Sequence, residues 1–186
     1  LRLPLPLDAR LAWSRVRDSL WFIPAIATVL SVVLAAVTVR VDELTYVPGL
    51  IRQQLLFGGG VDGARGVLSA IAGSIITVTA TVFSVTIVAL QLAGSQYTPR
   101  VLRSFLADRP NQLVLGTFIG TFTFAMLVLR TVRGAEDGHP AFVPAFAVTV
   151  SVALAMLSIT ALIFFINHAA RSIQISVILE RETNRT

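Results

Sequence analysis

Four long apolar stretches, residues 21–39, 67–92, 113–129 and 142–166, govern what this chain can fold into. Each is close to the about 20 residues a helix needs to cross bilayer hydrocarbon. In lipid every backbone N–H and C=O must find its partner inside the protein, so stretches of this kind become helices. The expected fold is an all-α integral membrane protein with four transmembrane helices and short interfacial helices. Composition supports this, with 55% hydrophobic residues in 186 and a mean hydropathy of +0.79. A chain of this length has room for little beyond four spans, so one membrane domain is read. The sequence has no cysteine, which excludes disulfides, thiolate nucleophiles and Cys-ligated metal centres.

All fifteen basic residues are arginine and the pI is about 11.2, a balance that resembles that of nucleic-acid binders. Their positions point to topology instead, and no nucleic-acid partner is expected. Ten fall in the N-terminal segment (Arg2, Arg10, Arg15, Arg17), the loop between spans two and three (Arg100, Arg103, Arg109) and the tail (Arg171, Arg181, Arg185). The opposite side holds the other five, Arg40, Arg52, Arg65, Arg130 and Arg133. The excess of arginine on one side places both termini and the central loop in the cytoplasm. A basic inner surface would attract anionic lipids at roughly 1 kcal/mol per arginine. The first span is longer than the 7–15 residues of a signal-peptide core and lacks a cleavage site, so it reads as a retained anchor.

Residues 1–20 form an N-terminal interfacial segment, with Leu11, Trp13, Val16 and Leu20 alternating with charge; Trp13 and Trp21 would sit at headgroup depth. The transmembrane domain covers residues 21–168. Its loop over residues 40–66 carries Asp42, Glu43 and the run Gly58-Gly59-Gly60, which no Gly-Lys-Ser/Thr follows, so it is a connector and not a phosphate loop. The apolar patch Leu50, Ile51, Leu55, Leu56 and Phe57 before it suits a short helix dipping into the interface or toward a channel mouth. Between spans two and three, Thr98 caps, Pro99 starts and Pro110 stops a short amphipathic helix. Its polar face holds Arg100, Arg103 and Ser104, an anchor or the basic inner mouth of a pore. Residues 169–186 begin a cytoplasmic helix still running at the last residue, which implies a further soluble C-terminal region; the first residue, Leu1, implies a missing N-terminal piece.

The second span carries the strongest functional signal. Positions 74, 77, 81, 84, 88, 91 and 95 repeat at 3,4 spacing and stay within one sector of a helix. They hold Ser74, Thr77, Thr81, Ser84, Val88, Gln91 and Ser95. Two readings fit this seam. Small hydroxyl residues mediate close helix contacts in membranes; alternatively, several copies turn the seam toward a common axis and line an uncharged aqueous path. Thr79 and Thr86 point the other way, into the subunit. Further small residues prepare close helix packing: Gly116 and Gly120 as a GxxxG pair in span three, and Ala147, Ser151, Ala155 and Ser158 in span four.

The runs Phe83-Ser84-Val85-Thr86-Ile87-Val88-Ala89-Leu90-Gln91-Leu92-Ala93-Gly94-Ser95-Gln96-Tyr97-Thr98-Pro99-Arg100, Leu115-Gly116-Thr117-Phe118-Ile119-Gly120-Thr121-Phe122 and Phe165-Ile166-Asn167-His168-Ala169-Ala170-Arg171-Ser172-Ile173 resemble the bacterial DUF2254 family of predicted membrane proteins. The similarity spans most of the chain. It implies a multi-pass protein of the bacterial inner membrane, about twice as long, with a soluble cytoplasmic region after the spans; it implies no reaction or ligand.

No Asp, Glu or Lys lies within any span, so the buried relays used by pumps and proton-coupled carriers are missing. His139 and His168 are too isolated for a metal site or a catalytic dyad. Neither an enzyme nor a cofactor is expected. The leading expectation is a homo-oligomeric passive channel lined by Ser74, Thr77, Thr81, Ser84 and Gln91, leaning toward anions through Arg100 and Arg103. The alternative is an accessory subunit that packs its small-residue seams against a larger membrane complex.

Overall fold

The computed structural model describes residues 22–44, 57–96, 109–135 and 140–183. They form four helices, α1 Phe22–Leu44, α2 Val61–Gln96, α3 Arg109–Thr131 and α4 Ala145–Thr183. Each contains an apolar window long enough to cross a membrane. The N-terminal segment, residues 45–56 and the loop bearing Arg100 and Arg103 lie outside the described residues.

The helices extend past the apolar stretches that announce them. α1 continues from Val39 to Leu44 through Arg40, Asp42 and Glu43, with Arg40 Nη1 and Glu43 Oε2 paired at 3.2 Å across one turn. α2 begins at Val61, immediately after the glycine triplet, and closes its first turn with Ala64 N–H to the Gly60 carbonyl at 3.0 Å. Pro110 occupies the first turn of α3, where its missing N–H costs nothing; the short helix expected before it lies outside the described residues. At 39 residues and about 1.5 Å each, α4 is about 58 Å long, well beyond the roughly 30 Å of hydrocarbon.

α3 is the central element. Within its apolar window 56% of residues are buried, against 28% in α1, 17% in α2 and 11% in α4. α1, α2 and α4 pack around it, and α4 also touches α1 and α2. Two clusters succeed each other along the bundle. One joins Leu68 and Ala72 of α2 to Phe124, Ala125 and Val128 of α3 and Val148 of α4; the other joins Ile75 and Val82 to Val114, Phe118 and Phe165.

The glycine pair of α3 meets α1. A Cβ on Gly116 would lie 3.4 Å from both Ala27 Cβ and Ile23 Cγ2, and one on Gly120 would lie 2.8 Å from Ser31 Oγ. Small residues on both helices, Gly116 and Gly120 against Ala27 and Ser31, bring the backbones close enough for dispersion to operate without a hydrophobic driving force. The expectation that these glycines admit a close neighbour thus has a specific partner, and it belongs to the same chain.

The end where α1 finishes and α4 starts is closed by polar ties. α4 opens with Ala145-Phe146-Ala147 behind Pro144, so it has no side chain of its own to cap its free N–H groups. Asp42 supplies the cap from α1: Oδ1 accepts from Phe146 N–H at 3.0 Å and Oδ2 from Ala147 N–H at 2.9 Å. The Phe57 N–H donates to Thr149 Oγ1 at 3.0 Å, and its ring covers Gly59, where any side chain would collide. Arg133 and Phe142 exchange both backbone hydrogen bonds at 3.0 Å, turning the chain from α3 into α4.

Two predictions follow from this packing. Gly120→Leu forces atoms into the space of Ser31 and should destabilise the fold by about 1–3 kcal/mol, whereas Gly116→Ala, whose Cβ meets ordinary contacts, should be near neutral; thermal midpoints in detergent of the full-length protein rank the two. Asp42→Ala should cost about 1–2 kcal/mol and accelerate hydrogen exchange at Phe146 and Ala147 specifically, and Asp42→Asn should recover part of the protection.

Candidate functional site

α2 has two opposed faces. Ala64, Leu68, Ala72, Ile75 and Val82 are buried against the bundle. Thr77 follows Ile75, and Ser84 follows Val82, by two residues, about 200° around a helix of 3.6 residues per turn. Ser74, Thr77, Thr81, Ser84, Val88 and Gln91 are accordingly all exposed. The seam is turned away from the other described helices, so packing among the described residues does not account for it. Thr79 and Thr86, on the other side, are half-buried.

The seam widens when its neighbours are included. Gly66, Ala70, Gly73 and Ala80 are exposed on the same side, and nothing lies within 4 Å of where a Cβ on Gly66 or Gly73 would stand. The result is a shallow, small-residue track along α2, bordered by the larger exposed residues Ile76, Phe83 and Val85. The free faces of the other outer helices differ. α1 presents Val29, Leu30, Val33 and Val37, with Ala25 and Ala36 among them, and α4 presents Met156, Leu157, Ile159 and Ile163, with Ala153 and Thr160 among them, so large apolar residues dominate both faces as a lipid-facing surface requires.

The hydroxyls of the track bond the carbonyls of their own helix. Ser74 Oγ donates to Ala70 O at 2.7 Å, Thr77 Oγ1 to Gly73 O at 2.9 Å and Thr81 Oγ1 to Thr77 O at 3.0 Å. Each proton is thereby satisfied without a partner helix, while oxygen lone pairs remain available outward. No charged side chain occupies this face between Arg65 and Gln91.

The other packing residues named from the sequence lie inside the bundle. Ser151 and Ser158 of α4 are buried, and Ala155 between them is half-buried. Ser151 Oγ donates to Ala147 O at 3.1 Å. Ser158 Oγ donates to Leu154 O at 2.9 Å and lies 2.9 Å from Thr121 Oγ1 of α3, a buried hydroxyl pair joining the central helix to α4. Small polar residues therefore serve two purposes here: those of α3 and α4 are used within the chain, and those of α2 are not. Arg100 and Arg103 lie outside the described residues, and so do the side chain of His168 and all of His139. Sequence reasoning missed Asp42 as a cap; the available signal was a helix start at Pro144–Ala147 with no capping residue of its own.

The architecture defines a four-span helical membrane protein whose second span carries an exposed polar track. The chain belongs to the DUF2254 family, described as predicted membrane protein, whose model matches residues 17–186. Similar proteins include an uncharacterized protein of Mycobacterium tuberculosis and one of Mycobacterium bovis, each 40% identical over 171 residues. The match covers 92% of this chain and 32% of each relative, so the chain spans about a third of the relatives' length. No solved structure matches it.

Because Thr121 and Ser158 are buried and bonded across α3 and α4 while Thr77 is exposed, the two classes of hydroxyl should respond differently to isosteric replacement. Thr121→Val should lower stability by about 0.6 kcal/mol, reaching ~1.7 kcal/mol at most, and Thr77→Val should leave the stability of the chain unchanged; denaturation in detergent measures both.

Proposed function

We propose that this protein is a homo-oligomeric, passive, channel-like protein of the bacterial inner membrane, with α2 lining or bordering the shared axis through Ser74, Thr77, Thr81, Ser84 and Gln91. The observation that carries the proposal is the orientation of this track: it faces away from the core of the described residues, whereas large apolar residues dominate the outward faces of α1 and α4, where small ones are interspersed. A cyclic assembly brings the same helix face to one axis from every subunit. There the hydroxyl oxygens and the Gln91 amide offer water and ions uncharged contacts. Arg100 and Arg103 follow in sequence and would bias entry toward anions. No enzymatic role is assigned, since nothing along the track offers a nucleophile paired with a base.

A second reading, an accessory subunit docked on a larger complex, draws on the same exposed track. Gly116 and Gly120 do not serve it as docking residues, because α1 of the same chain already covers both.

Reconstituted full-length protein should pass small ions through liposomes, and Thr81→Leu should reduce that flux at least tenfold while leaving the oligomer intact by native mass. Introduced into a sequence that here has no cysteine, Thr77→Cys should form a subunit–subunit disulfide in the membrane. Unchanged flux in Thr81→Leu sinks the lining role. A fixed stoichiometry with other polypeptides, and no homo-oligomer, favours the accessory subunit.

A further inference from the structure

Three arginines gather at the end of the bundle where Asp42 caps α4, opposite the end for which a basic inner surface was expected. Arg65, Arg130 and Arg133 are all exposed. Arg65 Nη2 donates to the Val132 carbonyl at 3.4 Å, and that carbonyl belongs to the peptide unit whose nitrogen is Arg133's. Arg133 is held in place because its own N–H and C=O are both bonded to Phe142 at 3.0 Å. Val132 points into the core, 4% exposed, and alternation along extended backbone turns Arg133 outward. Arg130 stands in the last turn of α3.

The remaining charges at this end are mostly occupied. Asp42 is held by the N–H groups of Phe146 and Ala147, and Glu43 pairs with Arg40 at 3.2 Å. That pair is the one ion pair among the described residues; Asp62, one turn before Arg65, makes no direct ion pair with it. Glu136 and Asp137 follow in sequence and lie outside the described residues. The carbonyl end of α3 favours cations nearby, which accounts for Arg65 and Arg130 being there. It uses one of the five guanidinium N–H donors of Arg65 and leaves the others able to bond an oxyanion.

Depth supplies the second argument. The candidate span of α2 begins at Val61 and that of α3 ends at Thr131, so Arg65, Arg130 and Arg133 lie at or within a turn or so of the span ends, the level at which a bilayer would present headgroups. A planar fork of N–H donors matches two oxygens of one phosphate, which a bound lipid presents at this level. We propose that Arg65, Arg130 and Arg133 form a binding site for the phosphodiester of an anionic phospholipid. The proposal is independent of the channel reading: it concerns another face, and an accessory subunit would carry the site equally well.

The test uses the full-length protein in nanodiscs containing a headgroup-photoreactive phosphatidylglycerol or, separately, the matching phosphatidylcholine, with labelled peptides mapped by mass spectrometry. Phosphatidylglycerol should label residues 62–69 and 129–135 several-fold more than phosphatidylcholine. Arg65→Gln/Arg130→Gln/Arg133→Gln should bring labelling down to the phosphatidylcholine level, and the three Arg→Lys replacements, which keep charge and lose the fork, should fall between. Unaltered exchange protection at Phe146 shows that a variant remains folded. Equal labelling by the two lipids, or undiminished labelling in the glutamine variant, overturns the proposal. Loss of labelling in millimolar inorganic phosphate also overturns it and assigns the arginines to a free anion.

Discussion

A polar group placed in hydrocarbon has no water to bond, and leaving it unpaired costs several kcal/mol. The arrangement of this chain answers that constraint at three levels. The backbone is satisfied by four long helices. Hydroxyls within them return their protons to carbonyls one turn back, at Ser74, Thr77, Thr81, Ser151 and Ser158. The helix end that cannot cap itself is capped from elsewhere, because the first turn of α4 has only Ala, Phe and Ala behind a proline. Asp42 performs that task with both carboxylate oxygens, and in doing so fixes where α4 starts relative to the end of α1.

The same constraint explains which parts of the fold are legible in the sequence. Hydropathy alone locates four spans, since a helix in lipid must declare itself through about 20 apolar residues. It does not locate the helix ends. Arg40, Asp42 and Glu43 extend α1 outside the apolar run through a local ion pair and a tertiary cap, neither of which has a hydropathy signature. Likewise a GxxxG pair announces a close neighbour without naming it. Gly120 meets Ser31 only because α1 and α3 lie side by side, a pairing set by the whole bundle and invisible at the two glycines. Asp42 and Phe146 are separated by 104 residues, and no local pattern joins them. The 3,4 spacing of the α2 seam was legible, and Thr79 and Thr86 were expected on its inner side, where they are half-buried. Periodicity shows that residues share a face, and the contacts of the other helices decide which way that face turns.

With α3 central, the three outer helices each keep a broad free surface, and comparison among these surfaces gives the track of α2 its meaning. Lipid tails gain dispersion contact from large side chains and very little from glycine, so a helix that met only lipid would have no use for Gly66, Ala70, Gly73, Thr77, Ala80 and Ser84 along one side. α1 and α4 show the lipid-facing alternative in the same molecule, with valine, leucine, isoleucine and phenylalanine over comparable lengths. Because the hydroxyls of α2 already bond their own backbone, they do not need a partner helix to be tolerated, and hydrogen bonding by itself does not demand assembly. What asks for a partner is shape: a face stripped to small residues leaves room for another backbone, or for water, where a lipid chain would pack poorly. Close contact between two such faces would exclude water and close a path, while three or more subunits around an axis would hold the faces apart and keep one open. In the proposed assembly the number of subunits would therefore decide whether the same residues act as an adhesive or as a wall.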